Sequence, residues 1–130
     1  MKSIFIDCSL GISGDMLASA LLDLGVPHSI FADNLLSLKI DKNYKLKFKQ
    51  ADSEGIRGIV CMKNESEFVK SSRSLNDIKN LILDSSMNEY VKKKSIRVFE
   101  ILAEAEAIVH GSEISDVHFH ELGSISSILD

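Results

Sequence analysis

Two of the four histidines in this 130-residue chain stand two positions apart, in Asp116-Val117-His118-Phe119-His120-Glu121-Leu122-Gly123. On an extended backbone, side chains two apart point to the same side, so His118 and His120 share a face while Phe119 anchors the other. Neutral imidazoles suit nickel, copper, iron and zinc, and Glu121 can complete the coordination or orient a ligand from outside it. That is half of a metal site. The same residues also read as ordinary sheet with two hydrogen-bonded imidazoles, because two histidines and a carboxylate do not define a centre.

A second group of chemistry-bearing residues lies near the start. Residues 3–8 form an apolar run ending in an acid, the pattern of a strand buried on both faces, with Asp7 at the end where open sheets gather ligands. Gly11-Ile12-Ser13-Gly14-Asp15-Met16 follows. From Met16 the apolar positions keep helical spacing, so a helix starts at a Ser13 or Gly14 cap and stops at Gly25, with Pro27 beyond. Free amides at that helix start attract a phosphate or carboxylate. Asp15 repels an anion, so Asp7 and Asp15 together suit a cation or a metal-bound nucleotide better than a bare phosphate. Asp15 also reads as a plain first-turn acid, and the glycines as a tight turn.

The elements that must position these groups follow from periodicity. Residues 27–38 have a helical pattern led by Pro27. Tyr44, Leu46 and Phe48 alternate with three lysines, and after turn residues 52–55 a strand over 56–62 completes an antiparallel hairpin with a slightly long loop. Gly58 inside that strand suggests a bulge or a close backbone approach. Residues 64–73 read as a loop. Ser74 to Asp77 resembles a capping box, and Ser86 to Glu89 is a second one, opening the longest helix, which ends at Gly111. Val91, Val98, Leu102, Ala105 and Val109 trace its expected buried face. His110, in its last turn, is favoured there by the helix dipole, and can also face the histidine strand. Ile125, Ile128 and Leu129 begin a final helical pattern. The expected class is α/β (α+β): one domain over residues 1–130, with a small mixed sheet of about three to four strands and about five helices.

Composition narrows the partners. The chain is 45% hydrophobic, enough for a real core, and its net charge of −4 comes from interspersed acids and bases, with no basic stripe for nucleic acid. No apolar run has membrane-spanning length, and the start is too short for a secretory leader, so a cytoplasmic location is expected. Cys8 and Cys61, far apart, read as two buried free thiols.

Three stretches resemble the LarC family of nickel insertion proteins. Asp7 with Gly11-Ile12-Ser13-Gly14-Asp15-Met16 and Leu21-Leu22-Asp23-Leu24-Gly25 is similar to the family's opening signature. Leu102-Ala103-Glu104-Ala105-Glu106-Ala107 with Val109-His110-Gly111 resembles its long-helix signature, and residues 117–123 resemble its histidine motif. The resemblance implies CTP-dependent insertion of Ni(II) into a dithiocarboxylated pyridinium mononucleotide, with nickel-sulfur and nickel-carbon bonds formed. It implies His118, His120, Asp7 and Asp15 as metal ligands, Ser13 and Gly14 as contacts to the nucleotide phosphate, and Glu121 or His110 as the base. Family members run to about three times this length. The CTP-handling part, with its divalent metal, is expected in a C-terminal region or subunit absent here. The family's histidine-containing stretch before Asp77 is Ser71-Ser72-Arg73-Ser74 in this chain, and an Asp after the histidine motif is Ser126, which removes two sources of nickel ligands. Other readings stay open: a non-catalytic metal-binding or interaction module, a small metal-dependent phosphohydrolase, and a homo-oligomer.

Overall fold

A computed structural model describes residues 3–40, 46–63, 72–120 and 122–130. The first helix, α1 (Gly14–Asp23), starts where Ser13 turns extended and its hydroxyl accepts from the Met16 amide. Pro27, with φ −61°, leads into α2 (His28–Ser37). Next come β1 (Leu46–Ser53) and β2 (Ile56–Lys63), paired antiparallel from Leu46↔Lys63 to Ser53↔Ile56. Their turn is tighter than expected: only Glu54 and Gly55 lie between the strands, with φ of 54° and 83°. Two successive positive φ values match the right-handed twist of a two-residue hairpin, and the Gly55 amide donates to Asp52 Oδ1 at 3.0 Å. Gly58 makes no bulge. The ladder runs unbroken through Ala51↔Gly58, and a Cβ there would meet nothing within 4 Å. α1 lies against β2, and Phe48 meets Phe31 edge-on at 5.5 Å.

The second part of the chain begins with β3 (Arg73–Ser74) and α3 (Leu75–Leu83), whose capping box is complete in both directions between Ser74 and Asp77. α4 (Glu89–His110) is capped by Asn88, not by Ser86: Asn88 Oδ1 accepts from the Tyr90 and Val91 amides at 2.8 and 3.1 Å. The preceding residues are still closing α3, with the buried Ser85 hydroxyl donating to the Ile82 carbonyl at 2.6 Å, and α4 begins only at Glu89, which makes Asn88 its cap. Gly111, at φ 63°, ends α4 as expected. A 3₁₀ turn (Ile114–Asp116), β4 (His118–Phe119) and α5 (Ile125–Leu129) complete the chain.

Ile78, Ile82, Phe99, Ala103, Ala107, Val117 and Phe119 form the core, joined by Leu38 from the end of α2. On α4 the buried stripe is therefore Phe99, Ala103 and Ala107. Val91, Val98, Ala105 and Val109 face solvent and Leu102 is half-buried, contrary to the expected buried face. The helix carries two apolar stripes, and the one with small residues admits the close approach of neighbouring elements.

The expected strand over residues 3–8 is not formed either. Its backbone is irregular and Ile4, Phe5 and Ile6 are exposed. A strand buried on both faces needs neighbours on its edges, and the four strands among the described residues pair only as β1–β2 and β3–β4. The mixed α/β class with five α-helices stands, with the strands split into two antiparallel pairs where one sheet was expected. Cys8 is exposed and Cys61 half-buried, so neither is the buried thiol expected. Tyr44, Lys45 and most of the expected loop, residues 64–71, lie outside the described residues. Among the described residues no helix is long and apolar enough to cross a membrane.

Candidate functional site

The histidine segment is held by the core beneath it. Phe119 is 1% exposed and meets Phe99 edge-on at 6.1 Å, and Val117 is buried beside it. His118 and His120, on either side of Phe119, are both exposed. This alternation is the one an extended backbone dictates, with the aromatic anchor aiming the imidazoles outward.

β3 pairs with β4 as Arg73↔Phe119 and Ser74↔His118. The ladder is these two pairs, and Ser72 and His120 flank it. The segment where the family resemblance expects histidines is thus the cross-strand neighbour of His118. The turn after His120 is closed by two contacts. Arg73 Nη1 donates to the Gly123 carbonyl, and Gly123 packs so tightly on the Phe119 carbonyl and the Arg73 amide that a Cβ has no room. Asp77 stands at the same end of α3. Its carboxylate accepts from the Ser74 hydroxyl at 2.7 Å and the Ser74 amide at 2.9 Å. Those two bonds hold its pKa below the ordinary value of 3.8, and His118 and Arg73 nearby add smaller lowering effects. An ionised carboxylate therefore lies within electrostatic reach of His118. Asp77 and Arg73 were read in the sequence as a cap residue and a loop residue, because a two-residue strand leaves no periodicity to find.

The opening loop is built around its own helix. Asp7 Oδ1 accepts from the Ser9 amide at 2.9 Å, and hydrogen bonds from Ser9 lower the Asp7 pKa. The Gly11 amide closes a turn on the Cys8 carbonyl at 2.9 Å, with Gly11 at φ 89°. The Ser13 hydroxyl donates to Asp15 Oδ1, which also accepts from the Met16 amide at 2.9 Å. Ser13 and Asp15 thereby satisfy the first turn of α1, as a cap and a first-turn acid do. Gly14 abuts Asp130 closely enough that a Cβ would collide with its backbone, so the start of α1 touches the end of α5. The groove beside this loop runs between α1 and β2, about 400 Å³ in volume, lined by Asp15, Ser19, Asp23, Gly58 and Cys61 among others.

His110 Nε2 lies 3.1 Å from Glu106 Oε2 one turn back, and the imidazole is exposed at the end of α4. Glu121 lies outside the described residues. Among the described residues no three His, Cys, Asp or Glu side chains gather closely enough to hold a metal ion. The structure thus brings together His118, Ser74, Asp77 and Arg73, and separately Ser13, Gly14, Asp15 and Asp130. The contacts seen among the described residues join neither histidine to Asp7 or Asp15.

The profile of the nickel insertion protein family matches residues 4–130. The chain belongs to that family. It is 39% identical over 129 residues to the pyridinium-3,5-bisthiocarboxylic acid mononucleotide nickel insertion protein of Staphylococcus saprophyticus, covering 99% of this chain and 32% of the relative. A relative of the same name from Akkermansia muciniphila is 40% identical over 137 residues, covering 100% of this chain and 34% of the relative. One from Clostridium kluyveri is 38% identical over 141 residues, covering 100% and 35%. The chain therefore spans about a third of the length of the curated relatives it matches. No solved structure matches it. For this member of the nickel insertion family, the histidine motif is the strand that Phe119 anchors, and the opening signature is the loop that leads through the Ser13 cap into α1.

Proposed function

We propose that this chain is the nickel-handling, N-terminal part of a cytoplasmic insertase that places Ni(II) into pyridinium-3,5-bisthiocarboxylic acid mononucleotide. A C-terminal part, on the same or a separate chain, supplies CTP and its divalent metal. The observation that carries this reading is the exposed pair His118 and His120 around a buried Phe119, in a chain whose relatives are named for nickel insertion. Nickel here is cargo. Two outward imidazoles hold a borderline divalent ion without the trapping that thiolates impose, which suits an ion that must be handed on. The ionised Asp77 near His118 favours the approach of a cation and balances charge around a bound one.

Asp7 and Asp15 are the further carboxylates for the metal, and Ser13 and Gly14 the hydroxyl and amide for the nucleotide phosphate. Replacing a ring carbon-hydrogen bond by a carbon-nickel bond releases a proton, which Glu121 or His110 accepts. For His118 and His120 to serve the same ion as Asp7 and Asp15, the opening loop and the histidine strand must close on the substrate between them. The contact of Gly14 with Asp130, a few residues beyond the histidine turn, supports that route.

Calorimetric titration with Ni(II) tests the reading. One ion per chain is expected, with binding abolished in His118→Ala, weakened about tenfold in Asp77→Asn as for a group that orients or balances a ligand, and retained in His110→Ala. Unchanged affinity in His118→Ala would overturn it. A second reading, a metal-binding module without insertase activity, is favoured by Ser71-Ser72-Arg73-Ser74 standing, beside the histidine strand, where the resemblance expects a histidine-containing stretch. Adding the C-terminal part of a relative with substrate and CTP separates the two: cofactor formed supports insertion, and nickel bound without product supports the module.

A further inference from the structure

The apolar stripe of α4 that the fold leaves uncovered has the layout of a helix-helix seam. Val91, Lys94, Val98, Ile101, Ala105 and Ile108 follow one another at alternating steps of three and four, the spacing of heptad a and d positions. They occupy an arc of about 100° on the side of α4 away from Phe99, Ala103 and Ala107, and run about 27 Å along the helix with Val109 at the end. Val98 is 55% exposed, Ile101 50% and Ile108 81%. A surface helix that buries one apolar stripe ordinarily carries charge opposite it, so a second, continuous stripe at heptad spacing asks for a partner helix.

We infer that this face pairs with the same face of a second copy of the chain, the two α4 helices running antiparallel about a two-fold axis. The self-complementarity of the stripe points to a second copy. With the axis passing between Phe99 and Glu100, Val98 meets Ile101 of the partner subunit, Val91 meets Ile108 of the partner subunit, and Lys94 meets Ala105 of the partner subunit. Val91, Val98, Ile101 and Ile108 each find an apolar residue. The one lysine meets the smallest side chain, over which its stem can lie while its ammonium reaches water. The charges agree. Arg97 and Glu104 flank the seam on one side, and this arrangement sets Arg97 opposite Glu104 of the partner subunit and Glu104 opposite Arg97 of the partner subunit. In one chain these two residues already contact each other at 3.0 Å along the helix surface, so both project at the seam's edge. A parallel pairing would set Arg97 against Leu102 of the partner subunit and bring the two Lys94 ammonium groups together. The interface is independent of the nickel reading, because the histidine strand packs on the opposite face of α4.

Sedimentation equilibrium of the chain from about 1 µM to about 1 mM tests this, a range that brackets the affinity of a short two-helix seam. Concentration-dependent dimers are expected, and Ile101→Glu is expected to leave only monomer with unchanged helical circular dichroism, since Ile101 is 50% exposed and is not one of the buried core residues. The direction of the pairing is tested by Arg97→Glu and Glu104→Arg. Each alone sets like charges across both symmetry-related contacts and is expected to weaken the dimer roughly fivefold. Mixed in equal amounts they form a heterodimer in which every cross-contact pairs opposite charges, and its affinity is expected to return to that of the parent. A chain that stays monomeric to 1 mM overturns the inference, as it would if the additional length of the relatives covers this face instead. So does a dimer that survives Ile101→Glu, or a mixture no tighter than either variant alone.

Discussion

Residues 72–120 and residues 3–63 differ in how they use their apolar side chains. The later stretch sinks Ile78, Ile82, Phe99, Ala103, Val117 and Phe119 into one core, whereas the earlier one buries only Leu38 in it among the described residues, with Leu35 and Ile40 packed partly buried against it. Ala18 and Leu22 are buried where α1 lies, while Ile4, Phe5, Ile6 and Leu10 are exposed. The histidine strand stands on the densely packed part and the opening loop on the sparsely packed one. Local stability follows buried apolar contact, so the support under His118 and His120 is expected to open at higher cost than residues 3–15. A firmly supported histidine strand and a more yielding loop would suit the proposed capture of an ion followed by closure on a larger substrate.

The largest test of this contrast compares two phenylalanines. Phe119→Ala removes the fully buried ring under the histidines and is expected to cost about 3–5 kcal/mol in denaturant unfolding, as core aromatic truncations do. Phe48→Ala removes a half-buried ring that meets Phe31 and His28 on the hairpin, and about 1–2 kcal/mol is expected. Equal costs would erase the distinction between the two regions. Next in size is Gly123→Ala. Its Cβ would collide with the Phe119 carbonyl, so about 1–3 kcal/mol is lost to strain, and the turn after His120 shifts. Nickel affinity should fall with it, while the same substitution at Gly25, where a Cβ meets nothing, should leave the histidines untouched.

Much of this contrast was legible in the residues and part was not. The Ser74–Asp77 box, the Gly111 stop and the β1–β2 hairpin are local devices, readable because their hydrogen bonds lie within a few positions of one another. The outward aim of His118 and His120 was legible for the same reason: one buried Phe119 decides it. What failed depended on distant partners. The run over residues 3–8 has strand composition but no edge among the described residues to pair with. Val91, Val98 and Val109 have the spacing of a buried face, yet Phe99, Ala103 and Ala107 compete for the core and win it. The closeness of Asp77 and Arg73 to the histidines rests on a two-residue strand pair joined across some forty positions, which no periodicity reports.

A smaller effect sharpens the account of the packed region. Ser74→Ala removes the hydroxyl half of the α3 cap and is expected to cost about 1 kcal/mol. Asp77, the other half, has a folded-state pKa below its unfolded value of 3.8, so the folded protein binds its proton less readily than the unfolded chain. Its contribution is therefore complete above the unfolded value and is lost as pH falls through the folded one. Unfolding midpoints measured between about pH 2 and 6 should show a shallower acid limb in Asp77→Asn than in the parent. An unchanged limb would mean that the carboxylate is not held by Ser74 in solution.

The smallest expected effects belong to the hairpin and come as a pair. Gly55 sits at φ 83°, where an L side chain is strained, so Gly55→Ala should destabilise by about 1 kcal/mol. Gly58 has ordinary strand backbone and open space where a Cβ would go, and alanine there narrows the freedom of the unfolded chain, so Gly58→Ala should stabilise by about 0.5 kcal/mol. Opposite signs from one substitution on one strand pair separate backbone strain from packing. If Gly58→Ala instead destabilised, the groove between α1 and β2 would be closed more tightly than its exposed lining implies, and the region of residues 3–63 would have to be counted as packed rather than yielding.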